Sequence, residues 1–217
     1  MKIEQLKRIF DFLEEKGEHR TPVKWKLINN IPLTEEDLNI KGDLDLSDSK
    51  ITSLPKGLKV GGTLNLSQTK ITSIPEDLNV KGNLNLERTK ITSLPEGLKV
   101  GGNLYLTFCD NISSLPEVLI VRGNLYLSYS NITSLPEGLK VGGYLNLSYT
   151  NMTSLSKGLE VGGDLNLFYS KITSLPEGLK VGGNLHIDNT PLKKYTNKEL
   201  RGMIKSGFIK GKIYRRA

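Results

Sequence analysis

The sequence predicts a repeat solenoid, mainly β: a parallel stack of about eight twenty-residue coils closed by a helical cap at each end. Three observations carry this. A unit typified by Leu84 to Asn103, LNLERTKITSLPEGLKVGGN, begins again at Leu44, Leu64, Leu104, Leu125, Leu145, Leu165 and Leu185. The interval is twenty residues except between Leu104 and Leu125, where Asp110 adds one. Within each unit Leu84 and Leu86 alternate with Asn83, Asn85 and Glu87, the period of a strand with one buried face. A period this strict describes coils that bury their apolar sides only by stacking.

Each part of the unit has its own reason. Equivalent strands of neighbouring coils pair in parallel about 4.8 Å apart, so eight coils make a body roughly 35–40 Å long. Ile91, Leu94, Leu98 and Val100 point into the same core from the other sides of the coil. Pro95 has no N–H for a ladder and keeps its stretch irregular. Gly101 and Gly102 mark a tight corner that needs positive φ or close backbone approach. Thr69, Thr89, Cys109, Ser130, Thr150, Ser170 and Thr190 form a column of small residues. They are expected inside the bend, bonded to the backbone of the next coil, with Cys109 a buried filler.

The flanks read as caps, which divides the chain into an N-terminal cap and lead-in (1–37), a solenoid (38–192) and a basic C-terminal cap (193–217). Ile3, Leu6, Ile9, Phe10 and Leu13 have helical spacing over residues 2–16, with Gly17 as the stop. This helix is expected to cover the first coil, because an uncapped solenoid exposes its core. Trp25, Leu27 and Ile28 should pack under that coil, and Thr34 with Asp37 suggests a capped turn. Leu38, Ile40, Gly42 and Leu44 copy the end of the repeat, so the stack starts half a coil early. After Leu192, Thr196 and Glu199 form a capping box that predicts a helix over 197–206 with Leu200 and Ile204 inward. Gly207 ends it, and Phe208, Ile209, Ile213 and Tyr214 supply a last strand or a flap.

Composition limits the function classes. The net charge is +7, but residues 44–192 hold thirteen bases and thirteen acids, while 193–217 hold nine bases and one acid. The excess sits in the tail from Lys193 to Arg216, a candidate phosphate contact. No apolar run reaches membrane-spanning length, and the N-terminus lacks the uninterrupted apolar core of a secretory signal. Cys109 is the single cysteine, so no internal disulfide forms and a cytoplasmic location is the expectation. One thiol, with His19 and His186 far apart, builds no structural zinc site. No nucleophile–base set, paired-carboxylate spacing or phosphate loop is present. The reading is therefore no enzyme, no catalytic residues, no metal and no cofactor.

The unit L-x-L-x-x-T-x-I-x-x-L-P-x-x-L, as in Leu84 to Leu98, resembles the leucine-rich repeat, most of all the short bacterial and phage type with Leu-Pro-Glu. The resemblance covers residues 38–192. It departs at two places: Ser, Thr or Cys holds the family's asparagine-ladder position, and Val-x-Gly-x stands before each strand. The family implies a binding scaffold that holds a protein partner on its exposed strand face, as a bacterial or phage assembly or host-interaction component. Two other readings stay open: nucleic-acid binding led by the basic tail and exposed tyrosines, and a carbohydrate-binding or carbohydrate-cleaving solenoid. Variation down the stack locates the surface. Two columns vary on and just after the strand, and their later coils gather aromatics. The candidate contact residues are Tyr105, Phe108, Tyr126, Tyr129, Tyr144, Tyr149, Phe168, Tyr169 and His186.

Overall fold

Val100 and Leu104 stand on either side of the Gly101–Gly102 corner, and each lies in a short strand: Lys99–Val100 before the corner and Leu104–Tyr105 after it. In the computed structural model, which describes residues 3–16 and 21–215, this pair recurs in every coil. Stacking joins the two kinds of strand separately, giving two parallel sheets of nine strands each among the described residues. Below they are the valine sheet and the leucine sheet. Leu84, Leu104, Leu125 and Leu145 stay in register. The insertion at Asp110 is therefore absorbed in the loop and does not shift a face, as it would inside a strand.

One strand per coil was the expectation, on the leucine side, and the valine strand is an addition to it. Its cause is the corner. A Cβ on Gly101 would overlap the Lys81 carbonyl oxygen of the previous coil, and one on Gly102 would overlap the Asn83 side-chain oxygen. Close approach of coils, rather than positive φ, is what these glycines permit. It brings Gly101 N–H to 3.2 Å from the Val80 oxygen and Gly102 N–H to 2.9 Å from the Gly82 oxygen, so the parallel ladder runs through the corner. Positive φ falls instead on Gly97, at 73° in the Leu-Pro-Glu-Gly turn.

The core is a continuous column of leucine, isoleucine and valine. Leu104, Leu106, Ile112 and Leu125 are wholly buried, and Leu94, Leu98 and Val100 nearly so. The small-residue column lies inside the bend as expected, but its bonds differ. The hydroxyls of Thr69, Thr89, Ser130, Thr150 and Thr190 donate to the carbonyl three residues earlier in their own coil, at 2.6–2.7 Å. A short side chain at the end of a four-residue turn reaches that carbonyl before it can reach the next coil. The crossing between coils is made at Cys109, whose Sγ lies 3.0 Å from the Leu86 oxygen and 3.7 Å from Thr89 Oγ1. Ser170 Oγ is buried without a hydrogen-bond partner.

The inter-coil ladder belongs to a column just before the leucine strand. The side-chain oxygen of Asn83 accepts from Asn103 N–H, Asn103 from Asn124 N–H, and Asn124 from Tyr144 N–H, at 2.7–2.8 Å. Asp43 and Asp164 do the same for Thr63 and Asn184. An asparagine ladder thus exists, displaced from the family's position to the glycine corner.

At the N-terminal end, helix α1 spans Ile3–Glu15 and α2 spans Val23–Ile28. Leu27 joins the core, with Val23, Ile28 and Leu33 packed against it. The first coil is covered by α2 and the segment after it. Helix α1 lies one layer further out: Ile9 and Phe12 are exposed, and Phe10 packs on Trp25 at 4.9 Å between centroids. The expectation had placed that cover on α1. The side chains of Ile3 and Leu13, the stop at Gly17, His19 and the tail residue Arg216 lie outside the described residues. Thr34 and Asp37 exchange hydrogen bonds as expected, and buried Asp37 also meets Lys26 at 3.2 Å.

At the other end the capping box forms between Thr196 and Glu199, and helix α3 spans Asn197–Met203 with Leu200 and Ile204 buried. The stack then resumes. Phe208–Ile209 pairs in parallel with Lys180–Val181, and Ile213–Tyr214 with Leu185–His186. The stretch FIKGKIY is a last rung in which Phe208, Ile209, Lys212 and Ile213 replace Lys, Val, Asn and Leu. The stack therefore extends past residue 192.

Candidate functional site: an aromatic rim beside the leucine sheet

After each leucine strand the chain turns sharply, and the turn dictates an unusual backbone. Cys109 N–H bonds the Leu106 carbonyl at 3.3 Å, closing a four-residue turn whose third residue must take positive φ, as in a type II turn. That residue is Asp48, Gln68, Arg88, Phe108, Tyr129, Tyr149, Tyr169 or Asn189 in successive coils, with φ between 53° and 60°. Asp and Asn tolerate this region, whereas bulky side chains are outliers there. Four consecutive coils nevertheless place an aromatic at the strained position.

Those four rings form a ladder. Phe108 stacks on Tyr129 at 4.7 Å, Tyr129 on Tyr149 at 4.4 Å and Tyr149 on Tyr169 at 5.0 Å, all within 12° of parallel. The Arg88 guanidinium caps the Phe108 end, 4.4 Å from the ring centre, in cation–π range. Phe168 sets its edge against Tyr149 and Tyr169. The rings remain 37–50% exposed, so their faces are covered by one another while edges and hydroxyls meet solvent. Desolvation by its neighbours, then the Tyr129 hydroxyl, pushes the Tyr149 phenol upward.

The remaining candidates separate from this ladder. Tyr105 and Tyr126, on the leucine strands, stack at 4.8 Å, with Tyr144 edge-on to Tyr126. All three are half-buried, and their hydroxyls accept from Asn103, Asn124 and Asn166. Tyr144 is raised, by burial first and by neighbouring charge, against the lowering bond from Asn166. His186 lies apart: it stacks on Tyr214 at 4.9 Å, and Nε2 is 3.4 Å from Asp164. Burial pushes the Asp164 carboxyl up, but hydrogen bonds from Asn184 and His186 outweigh it and the net shift is downward. The nine candidates thus form a turn ladder with Phe168, a strand cluster and an isolated histidine. Tyr214 belongs with the last of these and was missed, because its rung does not match the repeat.

The basic tail is partly used by the fold. Arg201 donates to the Ile209 and Gly211 carbonyls, Arg215 to the Tyr195 carbonyl and the Asn197 side chain, and Lys205 pairs with Glu177 at 3.1 Å. Lys194 and Lys210 lie over the Tyr195 and Phe208 rings. These side chains hold the last rung in place, which accounts for much of the local excess of bases.

Cys109 is buried, and burial pushes its thiol up against the opposing bonds from Thr89. Among the described residues there is no cluster of three or more metal-ligating side chains, and no helix is long and apolar enough to cross a membrane.

No family model and no curated protein matches the chain. Among solved structures it is similar to the leucine-rich-repeat domain of a Shigella effector, at 18% identity and a TM-score of 0.42, over 99% of this chain and 98% of that one. A likeness of that degree decides nothing about function. The description of the chain as a leucine-rich-repeat-like parallel solenoid rests on its own repeat and its own two sheets.

Proposed function

We propose that this leucine-rich-repeat-like solenoid is a non-enzymatic scaffold that holds a protein partner along the aromatic rim of its leucine sheet, centred on Phe108, Tyr129, Tyr149 and Tyr169. One observation carries the reading: four exposed aromatics occupy, in consecutive coils, a left-handed position that the same turn fills with Asp48 and Asn189 elsewhere. Strain kept at an exposed position points to a role outside folding. Tyrosine suits contact because it supplies large area and a polar tip at low entropic cost.

The geometry also favours protein over the other two readings. Single-stranded nucleic acid binds aromatics through base stacking on free ring faces, and here the faces within the ladder are taken by neighbouring rings. A sugar ring would need the same faces. Ring edges and hydroxyls suit the side chains and backbone of a protein surface. The Leu-Pro-Glu form of the repeat supports a setting in a bacterial or phage assembly or in host interaction.

The test is capture from a bacterial lysate, with and without nuclease, by the intact protein and by a Tyr129→Ser, Tyr149→Ser, Tyr169→Ser variant. A nuclease-resistant protein band that the variant loses, at nearly unchanged melting temperature, is the expected result. Equal capture by both proteins removes the rim as the binding surface.

A further inference from the structure

The neutrality of the coils conceals a separation of charge. On the outer side of the valine sheet, six consecutive coils each present one exposed cation: Lys41, Lys59, Lys81, Lys99, Arg122 and Lys140. They alternate between the glycine corner and the strand, so the row zigzags along the axis. The next coil carries Glu160, which lies 3.7 Å from Lys140 and 3.0 Å from Lys180 and neutralises the row there. No ion pair involves the other five among the described residues. Of the acids of these coils, Glu76, Asp77, Glu96, Glu117 and Glu137 sit in the turns after Pro75, Pro95, Pro116 and Pro136. Asp45, Asp48, Glu87 and Asp110 lie on or after the leucine strands, and Asp43 alone stands at a glycine corner, beside Lys41. Glu96 spends its carboxylate on the Glu117 and Val118 N–H groups.

At the middle of the row lies a groove of about 440 Å³ whose lining includes Lys81, Lys99, Arg122, Asn79 and Ile120 and no acid. Ile120 occupies a strand position held by lysine in both neighbouring coils and is 42% exposed. The groove is therefore an apolar spot within a cationic frame. Coils repeat about every 4.8 Å, so cations of one column recur at about 9.6 Å. That is the advance of about three residues of extended chain.

We propose that the valine sheet is a second docking surface, for an extended acidic segment of a partner protein. Its carboxylates, about three residues apart, meet Lys81 and Arg122 of the corner column, with Lys99 of the coil between them beside the path, and an apolar side chain sits on Ile120. Nucleic acid fits less well: the groove has no aromatic platform for bases, and an exposed isoleucine at its centre gives a phosphate nothing.

The probe is a fluorescent peptide of about twelve residues, long enough to run past the groove on both sides, made of glutamates with two central leucines. Binding to the full chain is read by anisotropy, with duplex DNA and oligo-dT titrated in parallel. We expect binding that weakens as salt rises, since exposed charges are screened. Lys81→Ser, Lys99→Ser, Arg122→Ser together should weaken it by about tenfold or more, because complementary charge sets encounter and specificity. Ile120→Ser should erase the advantage of leucine over serine in the peptide. Glu160→Lys, which extends the row, should tighten binding. The triple Tyr→Ser variant of the aromatic rim should bind the peptide normally, which separates this surface from the rim. The proposal is overturned if the peptide does not bind, if the cation variant binds it equally well, or if either DNA binds more tightly through the same three residues.

Discussion

The turn after the leucine strand exists in two versions on one backbone. In the first coils its left-handed residue is Asp48, Gln68 or Arg88; in the middle and later coils it is Phe108, Tyr129, Tyr149 or Tyr169. Values of φ agree across the two sets, and the buried leucines beside them are interchangeable. The fold thus requires the turn but not the rings. What distinguishes the two regions is the outward chemistry laid over an invariant interior, which is the economy of a repeat scaffold.

The interior should prove indifferent to this division. Leu66→Ala in an early coil and Leu127→Ala in a late one each empty a wholly buried site and should each cost about 2–5 kcal/mol. Equal losses by chemical denaturation support a common interior, and a late-coil loss much larger than the early one would mean that the aromatics help hold the core.

The asparagine ladder comes next in size. Asn103→Ala removes the acceptor of Asn124 N–H and the donor to Tyr105. Leaving a half-buried N–H without a partner should cost about 1–3 kcal/mol. Thr63 occupies the same column without relaying a backbone bond onward, so Thr63→Ala should be much milder. Similar melting temperatures for the two variants would count against the ladder.

Smaller still is a pH effect at the far end. The Asp164 carboxyl is held below its ordinary range, so its contribution is present above the unfolded value and is lost as pH falls through the folded one. Melting temperature should therefore drop below about pH 4, and less so in Asp164→Asn, which keeps the oxygen that accepts from Asn184. A variant with an unaltered acid profile would remove this assignment. Cys109 gives a companion readout: its raised, buried thiol should label slowly in the native protein and at once on unfolding.

The repeat was legible because burial leaves few choices: the columns through Leu84, Leu86, Ile91 and Leu98 scarcely vary. The C-terminal helix was legible because Thr196 and Glu199 are a local signal. The valine strand was harder to see, since Val100 is followed at once by two glycines whose role depends on the coil beneath. The positive φ of the turn left a trace in Asp48 and Asn189, but Tyr129, Tyr149 and Tyr169 masked it, because aromatics seldom adopt that backbone. The cationic row was invisible to a count of thirteen bases against thirteen acids, because which residues of successive coils line up on one side appears only once the coil is closed. Helix α1 reads as amphipathic, yet its pattern does not say which layer it packs on, and α2 stands between it and the core.

The central claim is that the aromatic ladder is carried by the fold and not required by it. The most direct test is the melting temperature of Tyr129→Asn, Tyr149→Asn, Tyr169→Asn, which gives the late coils the kind of residue that Asn189 already provides. Three stacks and the two edge contacts of Phe168 are lost, each worth about 0.5–1.5 kcal/mol. Relief of left-handed strain, about 1–2 kcal/mol per residue, offsets them. The account predicts a shift within about 4 °C of the parent. A fall of more than about 10 °C, well beyond that balance of terms, would contradict it and make the ladder part of what holds the solenoid together.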